Sequence, residues 1–247
     1  MGLRSERARA GGGRRGQRRG RCGKLAPLRH PMERARYIVV EGPIGVGKTT
    51  LANALSEKLG GRLVAEAVEE NPFLASFYQD RRKHAFQAQL FFLLSRFQQQ
   101  QEFFQQDLFS QVTVSDYLFA KDRIFASLTL DPNELALYAR VWELMGPRVV
   151  KPDLVVFLQA RLDVLLARIR KRGRDFERHF DAGYLDALCK AYSDFFFHYE
   201  ETPLLVVNAS EIDLESEDDL APLVSVIRRH RKGRLDYNPL ATKSPGP

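Results

Sequence analysis

Residues 42–49 read Gly42-Pro43-Ile44-Gly45-Val46-Gly47-Lys48-Thr49, the spacing G-x-x-x-x-G-K-[ST]. They follow the apolar run YIVVE at 37–41 and precede a stretch of helical period at 48–59. Glycines in such a loop let successive backbone N–H groups converge on phosphate oxygens, and the following helix adds the positive end of its dipole. Lys48 is placed to reach the β- and γ-phosphates and Thr49 to ligate Mg²⁺. A strand that feeds such a loop, with a helix running back from it, confines the chain to α/β folds whose site lies at the carboxyl ends of a parallel sheet.

The rest of the chain agrees with that constraint. Short apolar or β-branched runs at 37–41, 62–66, 112–116, 153–158 and 203–208 alternate with stretches of helical period at 48–59, 84–108, 132–145, 161–172, 181–199 and 216–231. Runs that are apolar throughout, instead of alternating, are buried on both faces, so the expected fold is a three-layer α/β P-loop domain with a five-stranded parallel sheet. The glutamines at 98–101, 105 and 106 are read as the solvated face of a helix. With 247 residues, 44% of them hydrophobic, the chain has material for one large core, and 28% charged residues leave no run apolar enough to span a membrane. Two cysteines, Cys22 and Cys189, make neither a disulfide framework nor a zinc site, which fits a cytoplasmic protein.

A net charge of +7 would ordinarily point to nucleic acid, but its distribution argues otherwise. Residues 1–36 hold twelve Lys/Arg against two acids, leaving 26 against 29 in the remainder. The body is slightly acidic, so a nucleic-acid partner is not expected of it. The glycine-rich basic stretch 1–31 is read as a disordered tail with no part in the fold, Met32 being an alternative start. A presequence or a nucleic-acid-binding arm are the competing readings of that stretch. The expected domain then spans 32–235, with a flexible tail at 236–247.

A phosphate loop fixes the donor and leaves the acceptor open. The second strand ends at Glu66, and residues 63–80 contain no Lys or Arg. An acceptor that is already a phosphate needs cations against charge repulsion, whereas an alcohol needs a base, so Glu66 favours an alcohol. Asp116, at the end of the third strand, stands where a second acid completes a P-loop magnesium site, with a helix N-cap as the bland alternative. The run 168–178, RIRKRGRDFER, gathers six cations around Gly173, either as a solvated helix end or as a lid closing over phosphates.

Taken together these motifs resemble the deoxynucleoside kinases over residues 37–231. The resemblance rests on EGPIGVGKTT at 41–50, on Glu66-Ala67-Val68-Glu69-Glu70-Asn71-Pro72, and on the arginine run from Arg168 to Glu177. It implies phosphorylation of a deoxynucleoside 5′-hydroxyl by ATP with Mg²⁺, the loop including Thr50 holding the donor and Thr49 and Asp116 the metal. Glu66 would deprotonate the hydroxyl, Tyr78 and Glu177 would hold the sugar, and Gln89 would meet the base. Arg168, Arg172 and Arg174 would handle the phosphates beside Lys48. Asn208 to Asp213, with Ser210 and Ile212, would cradle the donor's base, and a homodimer built on helices such as 84–108 is implied.

Arg96, seven residues after Gln89, and Asp122, six after Asp116, are similar to the pair by which deoxycytidine and deoxyguanosine kinases read a base; a surface ion pair is the alternative. One departure stands out. The family carries an arginine after the acid of the third strand, and this chain reads Asp116-Tyr117-Leu118. Lys121 or Arg123, one turn on, is the expected substitute. A nucleoside monophosphate kinase such as thymidylate kinase is the enzymatic alternative, which the missing cations at 63–80 oppose. An NTP-driven regulator is the non-enzymatic alternative, which lacks a guanine-reading N-K-x-D motif.

Overall fold

In the sheet, six strands run parallel in the order β2-β3-β1-β4-β5-β6. They are β1 (Arg36–Glu41), β2 (Arg62–Val64), β3 (Val112–Ser115), β4 (Leu154–Gln159), β5 (Leu204–Asn208) and β6 (Arg234–Tyr237). The computed structural model describes residues 36–66, 68–106, 112–174 and 181–239. The basic tail 1–31 and Met32 lie outside the described residues. β1 is central and pairs with β3 and β4, Val39 opposite Ser115 and Val155. Ile38, Val39 and Val40, like Leu154 to Leu158 of β4, are buried, as continuous apolar runs require of strands covered on both faces.

Among the described residues eight α-helices accompany the sheet: α1 (Lys48–Leu59), α2 (Leu74–Gln79), α3 (Arg81–Gln106), α4 (Asp122–Thr129), α5 (Pro132–Met145), α6 (Leu162–Arg172), α7 (Ala182–Phe197) and α8 (Glu217–Arg229). α1 and α8 lie side by side, joined by the Lys58–Glu217 ion pair and by Arg228 donating to the Lys58 carbonyl. Arg36 at the start of β1 closes the end of α8 by donating to the carbonyls of Ile227 and His230. α7 packs on β4 through aromatic rings, Phe157 stacking on Phe196 with centroids 4.2 Å apart and lying parallel to Tyr192. α5 starts where its sequence signals a start: Asp131 caps the backbone of Asn133 and Glu134, Glu134 reaches back, and Pro132 stands first.

Three expectations are corrected. A sixth strand, β6, pairs with β5 as an edge; its charged, solvent-facing RLDY pattern carries no apolar alternation, and it runs to Tyr237, past the boundary drawn at 235. Helices α2 and α4 were not read as elements, being only six and eight residues long. Gln100 is buried and donates to the Tyr37 hydroxyl at 3.1 Å, so the glutamine patch is not wholly a solvated face.

The ring stack between sheet and α7 sets a measurable consequence. Phe196→Ala removes a fully buried ring from the largest cluster and should cost about 3–5 kcal/mol in urea denaturation, with an unchanged m-value.

Candidate active site

The phosphate loop leaves β1 at Glu41 and turns into α1. Gly47 adopts φ +103°, a conformation side chains disfavour, and a Cβ on Gly42 would lie 2.3 Å from the Leu158 carbonyl oxygen of β4. Lys48 donates to the carbonyls of Gly42 at 2.8 Å and Pro43 at 3.2 Å, so its ammonium lies folded across its own loop. Burial first, and then the charge of Lys121, lower Lys48 to about 8. Val46 is buried under the loop. Ile44 and Gly45 sit half-covered beside it, and Thr49 and Thr50 open to solvent at the first turn of α1.

Glu41 was missed as a functional position. Its buried carboxylate accepts from the backbone of Gly42 (2.9 Å) and Leu118 (2.6 Å) and from the Tyr192 hydroxyl (3.0 Å), tying the loop to the β3–α4 connection and to α7. The only sequence signal was an acid closing an otherwise apolar strand.

Asp116 links the phosphate loop to Glu66. Its Oδ2 accepts from the Thr49 hydroxyl at 2.7 Å and its Oδ1 from the Glu66 backbone N–H at 2.6 Å. A hydroxyl and a carboxylate so close are hard oxygen donors that fit Mg²⁺, which takes one or two protein ligands beside waters and nucleotide phosphates. Among the described residues no cluster of three or more His, Cys, Asp or Glu offers an all-protein metal cage.

Glu66 is enclosed by two cations. Arg96 donates to Oε1 from both Nε and Nη2, and Lys121 donates to Oε2 at 2.8 Å. Burial by itself would push the carboxyl up; Arg96 and Lys121 more than offset it and hold Glu66 well below the usual carboxylate range. Arg96 continues through Nη1 to Asp122, and its plane lies over the Phe92 ring. With the two side chains 6% and 0% exposed, the Arg96–Asp122 pair is not the surface ion pair offered as an alternative. The stretch 63–80 lacks cations as read, but α3 and the turn before α4 deliver two to Glu66, where carboxylates neutralise them.

Gln89 is buried two turns before Arg96 on the same helix. Tyr78 packs with Val68 and Phe92 against a small cluster of Leu74, Phe77 and Tyr184. Asn71 fixes the segment between β2 and α2, donating to the Ala88 carbonyl and accepting from Phe73 N–H.

On the donor side, Arg168 bonds the carbonyls of Val46, Ala209 and Ile212, pinning the phosphate loop to the segment after β5. Its guanidinium is engaged with these backbone carbonyls. Within that segment Asn208 Oδ1 accepts from Ser210 N–H, Ile212 is buried, and Asp213 caps Glu215 N–H. Arg172 is exposed at the end of α6, and Arg174 meets Glu69 at 3.5 Å, bringing the residue after Gly173 to the segment beside Glu66. Glu177 lies outside the described residues. Tyr117 is buried, and its backbone is tied to the Ser115 hydroxyl. Arg123 stacks on Trp142, leaving Lys121 as the cation that meets Glu66.

Residues 38–229 match the family model described as deoxynucleoside kinase. The chain belongs to the deoxynucleoside kinase family. It is 40% identical over 164 residues to a deoxyguanosine kinase of Bacillus subtilis, covering 65% of this chain and 78% of the relative. It is 34% identical over 181 residues to a deoxyadenosine kinase of Dictyostelium discoideum, covering 71% and 73%. Among solved structures, deoxyadenosine kinase from M. mycoides with bound dATP superimposes with a TM-score of 0.69 at 26% identity, over 78% of this chain and 99% of that one. This deoxynucleoside kinase is thus a phosphotransferase acting from ATP on a deoxynucleoside, and nothing favours the monophosphate-kinase or regulator readings over it.

The buried pair carries a stability prediction. Arg96→Met leaves the Asp122 carboxylate buried without its cation and should destabilise the kinase by about 3–5 kcal/mol in urea denaturation, while adding Asp122→Asn should recover part of that loss.

Proposed function

We propose that this deoxynucleoside kinase acts foremost on deoxyguanosine, with Glu66 as the general base. The reading is carried by one observation: the Glu66 carboxylate is attached through its own backbone to Asp116, which holds the Thr49 hydroxyl of the phosphate loop. Donor and base are thereby fixed to one another. The acceptor's 5′-hydroxyl gives its proton to Glu66 as its oxygen attacks the γ-phosphorus, and the bond to the bridging oxygen breaks toward ADP. Thr49 and Asp116 would hold Mg²⁺, which when bound supplies charge neutralisation on the β- and γ-phosphates. Tyr78 and Glu177 are assigned to the sugar and Gln89 to the base. Lys48, Arg172 and Arg174 are assigned to the phosphates, Arg168 to bracing the donor-base segment Asn208–Asp213.

The base preference is argued from Asp122 and Arg96. A carboxylate held by an arginine accepts from ring N–H and exocyclic amine groups, and guanine offers both on one edge. Similarity to the Bacillus subtilis deoxyguanosine kinase supports the same choice. We place the enzyme in the cytoplasm, with catalysis confined to residues 32–239 and no role for the basic tail. Phosphorylation of the purified protein's substrates decides the matter: the four deoxynucleosides and their monophosphates are offered with ATP. Deoxyguanosine is expected to give the 5′-monophosphate fastest and monophosphates to be inert, and Glu66→Gln should lower kcat by roughly 10²–10⁴.

A homodimer is proposed on the face formed by α3 and α5. Leu137 and Leu144 of α5 are 52% and 77% exposed, and Leu94 of α3 stands outward beside Leu90 and Phe97. An apolar patch of this kind supports a covered surface. Light scattering should give the mass of two copies for the unaltered chain and of one for Leu144→Glu.

A further inference from the structure

Lys121 ends the 3-10 turn Phe119–Lys121 that leads into α4, and only 2% of its surface is exposed. A buried ammonium is costly unless its donors are used. Glu66 Oε2 takes one of its three donors at 2.8 Å, and the Glu41 carboxylate, at 3.8 Å, lies beyond hydrogen-bond length. Among the described residues that leaves donor capacity on the ammonium beside Glu66.

The geometry of Glu66 says what lies next to it. A carboxylate accepts about four hydrogen bonds, two per oxygen. Arg96 places both of its bonds on Oε1, so the remaining acceptor position is on Oε2, the oxygen that Lys121 holds. A hydroxyl surrendering its proton to Glu66 therefore arrives beside the Lys121 ammonium, and so does the phosphoryl group it attacks. The phosphate loop contributes Lys48, which rests on the carbonyls of Gly42 and Pro43. The two ammoniums stand near enough to repel each other, a cost that an anion between them would reverse.

We propose that Lys121 is a second phosphoryl-directed cation, donating to a non-bridging oxygen of the transferring group from the acceptor side while Lys48 does so from the donor side. This rests on Glu66 being the base. In the step, the bond from the γ-phosphorus to the bridging oxygen breaks and its electron pair leaves on ADP. The acceptor oxygen forms the new P–O bond, and its proton passes to Glu66 Oε2. Lys121 and Lys48 keep their protons and hold the charge of the three equatorial oxygens. The other cation near position 117 is engaged elsewhere: Arg123 stacks over the Trp142 ring with its guanidinium 5.2 Å from the centroid.

Steady-state kinetics with ATP and deoxyguanosine test this on Lys121→Met, Lys121→Arg and Glu66→Gln together. Lys121→Met should lower kcat by about 10²–10³, the usual effect of removing one donor to transition-state charge, with KM for both substrates within about threefold. Lys121→Arg should restore most of the loss, which a packing role would not explain. Normal kcat in Lys121→Met, or a loss confined to KM, overturns the proposal. The parallel variant separates the two readings. Normal turnover in Glu66→Gln removes the base assignment and Lys121 with it, whereas a slow Glu66→Gln beside a normal Lys121→Met removes Lys121 alone. Should Lys121→Met fail to fold, ¹⁵N side-chain resonances of the lysines decide. The Lys121 signal, assigned by its loss in Lys121→Arg, should shift when AMP-PNP, Mg²⁺ and deoxyguanosine are added together, and a signal that stays in place overturns the proposal.

Discussion

Everything at the carboxyl ends of the sheet depends on a chain of buried charges in which Arg96 joins Glu66 to Asp122 and Lys121 joins Glu66 to the neighbourhood of Glu41. The members come from α3, from the turn before α4, from the first residue of α4, from the end of β1 and from the segment after β2. Withdrawing such charges from water costs several kcal/mol each, and only mutual pairing with further hydrogen bonds returns it. Removing these charges would thus loosen five parts of the fold at once. Their role in stability is inseparable from their position, since they surround Glu66, the carboxylate proposed as the base.

The donor half is built differently. It relies on backbone: glycines that allow close approach to β4, Lys48 resting on loop carbonyls, and Arg168 gathering the carbonyls of Val46, Ala209 and Ile212. Asp116 is where the two halves meet, one oxygen on Thr49 and the other on the Glu66 backbone. The proposed base is thus tied to the phosphate loop through a single side chain at the end of β3.

Much of this was legible in the sequence because it was local. The phosphate loop, the central strands and the capped helix α5 each carry their signal within a dozen residues, and the fold followed from continuous apolar strands that must be covered on both faces. Glu66, Asp116 and the Arg96–Asp122 pair were found from spacing and from family resemblance. What sequence missed is non-local or unpatterned. Glu41 is one acid at the end of an apolar run until folding brings Leu118 and Tyr192 to it. The buried Gln100 is one of several glutamines until Tyr37 meets it, and β6 is a charged edge strand without alternation. The cations that meet Glu66 are also non-local, since α3 and the turn before α4 supply them across 30 and 55 residues.

The central claim is that Glu66 receives the acceptor's proton on the oxygen shared with Lys121. The most direct measurement is a crystal structure of the enzyme with deoxyguanosine, AMP-PNP and Mg²⁺. The account predicts the nucleoside 5′-oxygen within about 3 Å of Glu66 Oε2, hydrogen-bond reach for a general base, with the γ-phosphate beyond it in line. A 5′-oxygen that bonds to another carboxylate, with Glu66 still closed on Arg96 and Lys121 and remote from the sugar, would contradict it.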